Sequence, residues 1–253
     1  MNELSDWADY LEAQLGEARR VEVYRTTAST QDLAKARAAQ PLLIVADHQT
    51  AGRGRLGRSW DAPAGSAALF SLTHRLDPRR GTLDRVAFLS ALGVARAIER
   101  LARGLRVGIK WPNDLVIQGR KLAGILVETV GSHAVIGVGI NVALWREEVS
   151  AMPGELRDRV TSLALLGHPL SRVTLIAEAV KQIDACLAAA DVTPLVAEWR
   201  DRSVLSHQRL TLRNAGQEIT GSVVDLDPEA GLIVRRDSGE LITLPAGTTT
   251  VVG

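Results

Sequence analysis

The sequence predicts an α+β protein in which a mixed β-sheet with flanking helices is followed by a small all-β region. Three observations support this prediction. Short apolar runs such as 41–46 and 67–72 are typical of buried strands. Apolar residues recur at spacings of three and four between Leu83 and Leu101, which predicts one long helix. From Leu205 onward, short alternating segments separated by turn residues replace both earlier patterns.

The elements of the larger region follow from the same periodicities, taken in chain order. Strands are predicted at 21–24, 41–46, 67–72, 105–109, 122–130 and 134–142. Helices are predicted at 2–15, from the Ser-Thr-containing segment 27–33 onward, at 83–101 with Gly104 beyond its end, at 163–189 and at 194–202. The segment 143–160 is expected to be a loop. Because turns rather than helices separate the last three strands, we expect a mixed sheet.

The second region contains five short strands after a boundary between residues 204 and 205. They are predicted at 209–212, 218–224, 232–235, 240–244 and 248–252, with a hairpin turn at 237–240. Five alternating strands in under fifty residues are typical of a small barrel. We therefore expect two domains, 1–204 and 205–253, and we expect 1–204 to fold without the second.

Composition excludes several classes of protein. The chain has 253 residues, of which 46% are hydrophobic, which is enough for a substantial core. Because 30 basic residues nearly balance 29 acidic ones, a general nucleic-acid binder is disfavoured. Cys186 is the only cysteine, so no disulfide framework is expected. Neither an apolar signal segment nor a membrane span is found in the sequence, and we predict a cytoplasmic protein.

Residues 52–58, here called the basic loop, hold three glycines and three arginines. Arginine is rarely buried without a partner, and its planar guanidinium suits bidentate contact with carboxylate or phosphate. The loop is therefore interpreted as an anion-binding site, with a mobile basic surface loop as the alternative. Since its arginines repel one another, we expect the loop to be mobile until an anion binds, and then to close over that anion.

Three further segments contain polar or glycine residues that core packing does not require. In 110–115, Pro112 fixes an extended residue before it, so the segment is expected to cross a cleft, although an Asn-Asp turn is an alternative. In 120–128, a lysine precedes an apolar strand whose glycine leaves room for close approach. In 136–142, alternate glycines open one face of a strand. They are too sparse for a dinucleotide fingerprint.

These segments occur in the order of a known family. Ser29-Thr30, then 49–58, Lys110–Asp114, Lys121–Ile125 and Gly137–Asn141 together resemble the biotin protein ligases, also called biotin–acetyl-CoA-carboxylase ligases. One departure is Gln31, where that family usually has asparagine. The resemblance implies a class II synthetase-like catalytic domain and an SH3-like C-terminal barrel. Because a single helix precedes the first strand, we expect the monofunctional type, without an N-terminal DNA-binding domain.

The resemblance also implies an activity and a set of site residues. The family activates biotin with ATP and Mg2+ as biotinyl-5′-AMP and transfers it to a lysine of a biotin carboxyl carrier protein domain. The implied catalytic residues are Lys121, Arg55 and Asp114. The implied biotin-binding residues are Ser29, Thr30, Gln49, Gly52, Arg53, Arg55, Lys121, Gly124, Ile125 and Gly137. The implied nucleotide-binding residues are Arg55, Arg58, Trp60, Lys110, Asn113, Lys121 and Asn141. No protein ligand set for a metal is predicted.

Two other functions compete with this interpretation. A lipoate ligase or octanoyltransferase would share the implied fold, and a non-enzymatic regulator would hold an effector and bind DNA. The scattered histidines disfavour a metalloenzyme, because no two of them have the short spacing of a ligand pair. We expect small-molecule substrates and a carrier domain as partners, and neither nucleic acid nor membrane. Homodimer formation is left open.

Overall fold

The computed structural model describes residues 4–77, 82–227 and 230–252, without the side chains of Ser5 and Glu155. Residues 2 and 3 of the first predicted helix lie outside this part of the chain. The strands of the larger sheet are β1 (Arg20–Thr27), β2 (Leu42–Gln49), β3 (Ala67–Arg75), β4 (Gly108–Lys110), β5 (Asp114–Ile117), β6 (Arg120–Val130) and β7 (His133–Asn141). The α-helices are α1 (Ser5–Leu15), α2 (Thr30–Ala36), α3 (Leu83–Leu101), α4 (Arg146–Ser150), α5 (Gly154–Arg157), α6 (Arg172–Ala188) and α7 (Thr193–Arg202).

The larger sheet is mixed, as predicted. Its strand order is β1-β2-β3-β7-β6-β5-β4, in which β1 and β2 are parallel and the remaining neighbours are antiparallel. Alternate residues of β2 bury on opposite faces: Leu43 and Val45 join the main core, whereas Leu42 and Ile44 pack with Ala34 of α2. Helix α2 therefore covers one face of the sheet, and α1, α3 and α6 cover the other.

The two long helices pack closely because a glycine lies where they meet. A methyl group on Gly93 of α3 would lie 2.7 Å from the backbone nitrogen of Ile183 in α6. The backbone N–H of Arg85 donates to the hydroxyl of Thr82 at the start of α3, at 3.4 Å, which satisfies one of the unpaired groups of that terminus. The predicted helix at 83–101 is thus confirmed, and it buries its apolar stripe against the sheet and α6.

Several predicted boundaries are wrong for identifiable reasons. The chain reverses at the cis peptide Trp111-Pro112, so β4 pairs with β5, a strand of four residues that is too short to show a period. Residues 143–160 contain α4 and α5 rather than only a loop. Helix α6 begins at Arg172 rather than at Leu163, because residues 163 and 164 donate their backbone N–H groups to Asn141 and Val142.

The second sheet has the five strands that the sequence predicts. They are β8 (Arg209–Asn214), β9 (Gln217–Asp227), β10 (Gly231–Arg236), β11 (Leu241–Leu244) and β12 (Thr249–Val252), in the order β11-β10-β9-β8-β12. Its buried leucines Leu212, Leu226 and Leu244 belong to the same hydrophobic core as α3 and the larger sheet. The two sheets are distinct, but the core continues from one to the other. Among the described residues, no helix is long and apolar enough to span a bilayer.

Candidate active site

Most of the residues predicted for the site line one cleft between α2, the basic loop, the larger sheet and β12. Thirteen of the predicted residues lie there: Ser29, Thr30, Gln49, Arg53, Arg55, Arg58, Trp60, Asn113, Asp114, Lys121, Gly124, Ile125 and Gly137. The cleft also includes Gln31, Ser71, Gly139 and, from the second sheet, Thr250. Segments far apart in sequence therefore meet as the resemblance implied.

The start of α2 supplies hydrogen-bonding groups to this cleft. The backbone N–H and the hydroxyl of Thr30 lie 2.7 and 3.0 Å from Oε1 of Gln49, at the end of β2. Ser29 precedes the helix, yet its side chain makes no capping bond. Its Oγ is buried and has no hydrogen-bond partner among the described residues. A buried hydroxyl without a partner costs free energy, so this atom is available to a polar ligand.

The basic loop folds back on itself as a small hairpin. The backbone N–H of Gly54 donates to the carbonyl of Arg58 at 2.7 Å, and that of Trp60 donates to the carbonyl of Gly52 at 2.9 Å. A methyl group on Gly52 would lie 2.2 Å from the carbonyl oxygen of Trp60, so glycine is required for this closure. Leu56 occupies the tip in the left-handed region, with φ of 54°, and its side chain is exposed.

Two of the three arginines of the loop are bound by protein groups, so protein contacts offset the mutual repulsion on which the expectation of a mobile loop was based. Arg53 lies 2.5 Å from Asp32 and 2.9 Å from Glu128. Arg55 donates to Oδ1 of Asn113 at 3.3 Å and to the carbonyl of Ala246, in the short 3-10 helix that joins β11 to β12. These partners are separated from the loop by many residues in sequence, so composition does not reveal them.

The electrostatic surroundings of Arg55 differ from those of an ordinary surface arginine. Burial lowers the pKa of its guanidinium, while the nearby carboxylates of Asp114 and Asp84 oppose that shift. The guanidinium of Arg55 remains charged despite this shift, since the ordinary pKa of arginine lies far above the neutral range. Arg58, by contrast, is exposed at the end of the loop. The loop therefore delivers one half-buried and one exposed positive charge to the cleft.

A lysine, a tryptophan and two glycines form the opposite wall. The ammonium of Lys121 lies 2.7 Å from Asp114 and 5.4 Å from the centre of the Trp60 ring. Gly124 and Gly139 face each other across β6 and β7. A methyl group on Gly139 would lie 2.5 Å from Cε2 of Trp60, so this pair of glycines makes room for the indole. The indole Nε1 is buried without a hydrogen-bond partner among the described residues.

Sequence reasoning left the role of Gln31 open, and the structure gives it a defined environment. Its amide nitrogen donates to Glu128 at 3.0 Å and to the carbonyl of Val135 at 3.1 Å. Its carbonyl oxygen accepts from the hydroxyl of Ser71 at 3.1 Å. A methyl group on Gly137 would lie 2.5 Å from that oxygen, so the alternate glycines accommodate Gln31 as well as the indole.

Three predicted site residues do not line the cleft. The backbone of Lys110 lies opposite that of Asp114 in the β4–β5 hairpin, and the lysine does not line the cleft. The buried amide of Asn141 donates to the carbonyl of Thr161 at 3.0 Å and so holds the chain that follows α5. Gly52 closes the basic loop. Conversely, sequence reasoning did not assign a role to Asp32, Glu128, Ser71 or Gly139, of which only Gly139 had a signal, in the alternation of glycines along its strand.

Comparisons with known proteins agree with this arrangement. Residues 20–141 match the model of the biotin/lipoate A/B protein ligase family. Over 246 residues the chain is 31% identical to a biotin–[acetyl-CoA-carboxylase] ligase of Mycobacterium tuberculosis, covering 92% of this chain and 86% of that protein. It is 30% identical to a bifunctional ligase/repressor of Bacillus subtilis, of which it spans 67%, and it spans 61% of the corresponding Escherichia coli protein.

A solved structure shows the same fold. The biotin protein ligase of Aquifex aeolicus in complex with biotin and ATP superimposes with a TM-score of 0.79 at 25% identity, covering 92% of this chain and 98% of that one. Sequence relatives and structural neighbour therefore agree on one family, and the resemblance seen in the sequence is confirmed. The chain belongs to the biotin/lipoate A/B protein ligase family, and within that family to the biotin protein ligases.

Proposed function

We propose that this chain is an ATP-dependent ligase that activates biotin as biotinyl-5′-AMP and transfers it to a lysine of a biotin carboxyl carrier protein domain. The observation that carries the proposal is a single cleft that joins buried neutral hydrogen-bonding groups to a cluster of cations. Ser29, Thr30 and Gln49 lie on the neutral side, and Arg55 and Lys121 on the cationic side. The relatives named as ligases and the homologous complex with biotin and ATP support it.

The first chemical step needs the cationic side. A carboxylate oxygen of biotin attacks the α-phosphorus of ATP, a new P–O bond forms, and pyrophosphate leaves with the bonding electron pair. Both reactants are anions, so their approach requires fixed positive charges and donors. Lys121, Arg55 and Arg58 are proposed to supply them. Magnesium remains a prediction: bound together with ATP, it would neutralise part of the negative charge of the phosphates.

Asp114 is proposed to act at both stages of the reaction. In the free protein its carboxylate holds the ammonium of Lys121 at 2.7 Å, which aims that charge into the cleft. When Lys121 turns to the reacting carboxylate and phosphate, Asp114 is released. It then orients the incoming carrier lysine and accepts its proton, directly or through water. The carrier nitrogen attacks the carbonyl carbon of the mixed anhydride, and AMP leaves.

The neutral groups are proposed to bind the head of biotin. Ser29 offers a buried hydroxyl without a partner, while Thr30 and Gln49 are held together by hydrogen bonds. The strand positions Gly124, Ile125 and Gly137 are proposed to contact the ring and the valerate chain. A neutral bicyclic urea suits hydroxyl and amide partners, because each buried polar atom then gains a bond without introducing an unpaired charge.

We propose that residues 1–204 bind and activate the small-molecule substrates. The C-terminal region is proposed to position Arg55 through the carbonyl of Ala246, which lies between β11 and β12. Truncation after residue 204 is expected to leave a helical protein with a lower melting temperature, since it exposes part of a shared core. Adenylate retention should fall more than biotin affinity. A chain that is unfolded by circular dichroism would contradict the division at 204/205.

Mass spectrometry of a carrier domain tests the proposed function. The protein is incubated with the carrier, ATP, magnesium and either biotin or lipoate, and the mass of the carrier is measured. We expect a biotinyl adduct on one lysine that requires ATP, and no lipoyl adduct. A lipoyl adduct would instead identify a lipoate ligase. Absence of both adducts, with biotin still bound, would favour an effector-binding regulator. The protein is also proposed to be cytoplasmic. The test gives the same result whether or not the protein forms a homodimer.

A further inference from the structure

Glu128 of β6 has no role in the chemistry described above, although three donors from two other segments converge on its carboxylate. Its Oε1 accepts from Lys35 and from Arg53, each at 2.9 Å, and its Oε2 accepts from the amide of Gln31 at 3.0 Å. Lys35 and Gln31 belong to α2, and Arg53 belongs to the basic loop. Glu128 therefore joins the sheet, the helix that opens the cleft and the loop that covers it.

We propose that Glu128 is a positioning residue that holds Arg53, and through Arg53 holds the basic loop in its closed position over the cleft. Glu128 fixes the position of Arg53 and does not itself contact the ligand. The effect on function arises because the loop places Arg55, Arg58 and Trp60 against the ligand. This inference rests on the proposed ligase function only where ligand binding is measured.

Charge balance separates Arg53 from the other two arginines. Arg53 and Lys35 face Asp32 and Glu128, two basic and two acidic side chains within ion-pair distance of one another. The positive charge of Arg53 is therefore neutralised by the protein, so little of it remains for a ligand anion. Its two contacts instead connect the first strand of the loop hairpin to α2 on one side and to β6 on the other.

The carboxylate is aimed at Arg53 by the buried amide of Gln31. Gln31 is 3% exposed. Its amide nitrogen also donates to the carbonyl of Val135, and its amide oxygen accepts from the hydroxyl of Ser71, so the orientation of the amide is fixed. Ser71 in turn lies 2.9 Å from the hydroxyl of Thr30, which binds Gln49. A continuous row of polar contacts thus runs from the proposed biotin-binding groups to Glu128. The position of the loop is in this way tied to the floor of the cleft.

The protonation of Glu128 suits this role. Burial by itself raises the pKa of the carboxyl, but hydrogen bonds from Lys35 and Gln31 and the charge of Arg53 outweigh burial and lower the pKa. The carboxylate therefore stays charged, and keeps its three donors, throughout the neutral range. The groups that face it are Lys35 from α2 and Arg53 from the basic loop, with Asp32 behind Arg53.

The first experiment needs no ligand. Limited trypsin digestion of the free protein measures how often the loop opens, by cleavage after Arg55 and Arg58. Glu128→Gln should raise the cleavage rate about tenfold or more, because a charge-assisted contact is lost. Glu22→Gln is the matched control, since Glu22 pairs with Arg20 on β1 and with Arg37, the residue after α2, and makes no ion pair with the loop. Equal cleavage in wild type and Glu128→Gln would overturn the proposal.

A double-mutant cycle with Arg53→Gln shows whether Glu128 acts through Arg53. If it does, the double variant opens no faster than the faster single variant, whereas independent effects would multiply. A second readout is biotin turnover in the intact ligase. Because KM rises only as far as the closed fraction of the free loop falls, Glu128→Gln should raise KM for biotin by less than the factor by which it raises cleavage, while kcat changes little because saturating ligand restores the closed loop.

The two readouts separate the inference from the proposed function. A wild-type protein without ligase activity would remove the proposed function but leave the trypsin result standing. An active wild type with multiplicative opening rates in the cycle, or with kcat falling and KM unchanged in Glu128→Gln, would overturn the positioning role. Melting temperatures of Glu128→Gln and Arg53→Gln, compared with Glu22→Gln, identify any variant that is merely unfolded.

Discussion

The two ends of the cleft use the same kinds of residue for different purposes. Beside the neutral end, which Ser29, Thr30 and Gln49 form, the charged side chains of Asp32, Lys35, Arg53 and Glu128 pair with one another, and of these four only Arg53 lines the cleft. At the cationic end, Arg55, Arg58 and Lys121 face one carboxylate within the cleft, that of Asp114. Arg53 and Arg55 are only two residues apart, yet one is neutralised by carboxylates and the other is bound by neutral oxygens. The partners of an arginine in the folded protein, rather than its presence in the sequence, therefore decide whether it is available to an anion.

The largest expected effect comes from removing a cation at the cationic end. Lys121→Ala should slow biotin-dependent ATP–pyrophosphate exchange about a hundredfold or more, because it removes a fixed charge from a developing anion, worth about 3 to 4 kcal/mol. Circular dichroism should remain native. The matched control is Lys181→Ala, whose exposed lysine contacts Gln14 and does not line the cleft. Near-wild-type exchange in Lys121→Ala would remove Lys121 from the mechanism.

Arg55 tests the same end through retention of the intermediate. Arg55→Ala loses the contacts to Asn113 and Ala246 and one charge facing the adenylate. A charge-assisted contact is worth about 1.5 to 3 kcal/mol, so the adenylate should dissociate roughly ten to a hundred times faster. Arg100→Ala is a suitable control, because Arg100 is an exposed residue of α3 that pairs with Glu178. An unchanged dissociation rate would show that Arg55 does not retain the adenylate.

Between the two ends lies the glycine pair that accommodates Trp60. Gly139→Ala places a methyl group 2.5 Å from the indole, which must then move. Overpacking of this kind costs about 1 to 3 kcal/mol, so adenylate affinity should fall roughly five- to a hundredfold. Calorimetry measures this directly. Gly154→Ala is the control, since a methyl group there meets no atom within 4 Å. Equal affinities in both variants would show that the position of Trp60 does not matter.

The smallest expected effect concerns pH at the neutral end. Burial raises the pKa of Glu128, but hydrogen bonds from Lys35 and Gln31 and the charge of Arg53 lower it by more. The net result is a pKa below the ordinary value. A group with a depressed folded-state pKa stabilises the protein above its unfolded pKa and loses that contribution as pH falls through the folded value. The stability difference between wild type and Glu128→Gln, about 1.4 kcal/mol for a tenfold change in loop opening, should therefore be present at neutral pH and vanish in acid. A difference that grows in acid would contradict this.

Much of the fold was predictable because its signals are local. The long helix 83–101, the mixed sheet and the five C-terminal strands all follow from periodicities within one segment. The composition of the basic loop also indicated an anion-binding segment, whereas the site role of Lys121 was implied only by the family resemblance. The sequence pattern does not reveal which side chains on different strands and loops contact one another. Arg53 and Glu128 are 75 positions apart, and only the strand order brings β6 beneath the loop.

Short elements escaped prediction for a related reason. Strand β5 has four residues and depends on the turn at Pro112, and α6 starts late because residues 163 and 164 bond to the end of β7 and the residue after it. At the start of α6 tertiary hydrogen bonds override the local pattern, whereas β5 is too short to show a pattern of its own. The same explanation covers Asn141, whose amide is used by the backbone of Thr161 rather than presented to the cleft.

The comparison of the two ends is tested most directly by the binding of biotin and of its neutral amide to matched variants. Calorimetric affinities are measured for wild type, Lys121→Ala and Glu128→Gln. If the carboxylate binds at the cationic end, Lys121→Ala should lose affinity for biotin about tenfold or more and for the amide much less, since only biotin carries the charge. Glu128→Gln should weaken both ligands equally. An equal loss for both ligands in Lys121→Ala, or a loss confined to biotin in Glu128→Gln, would contradict the assignment of the two ends.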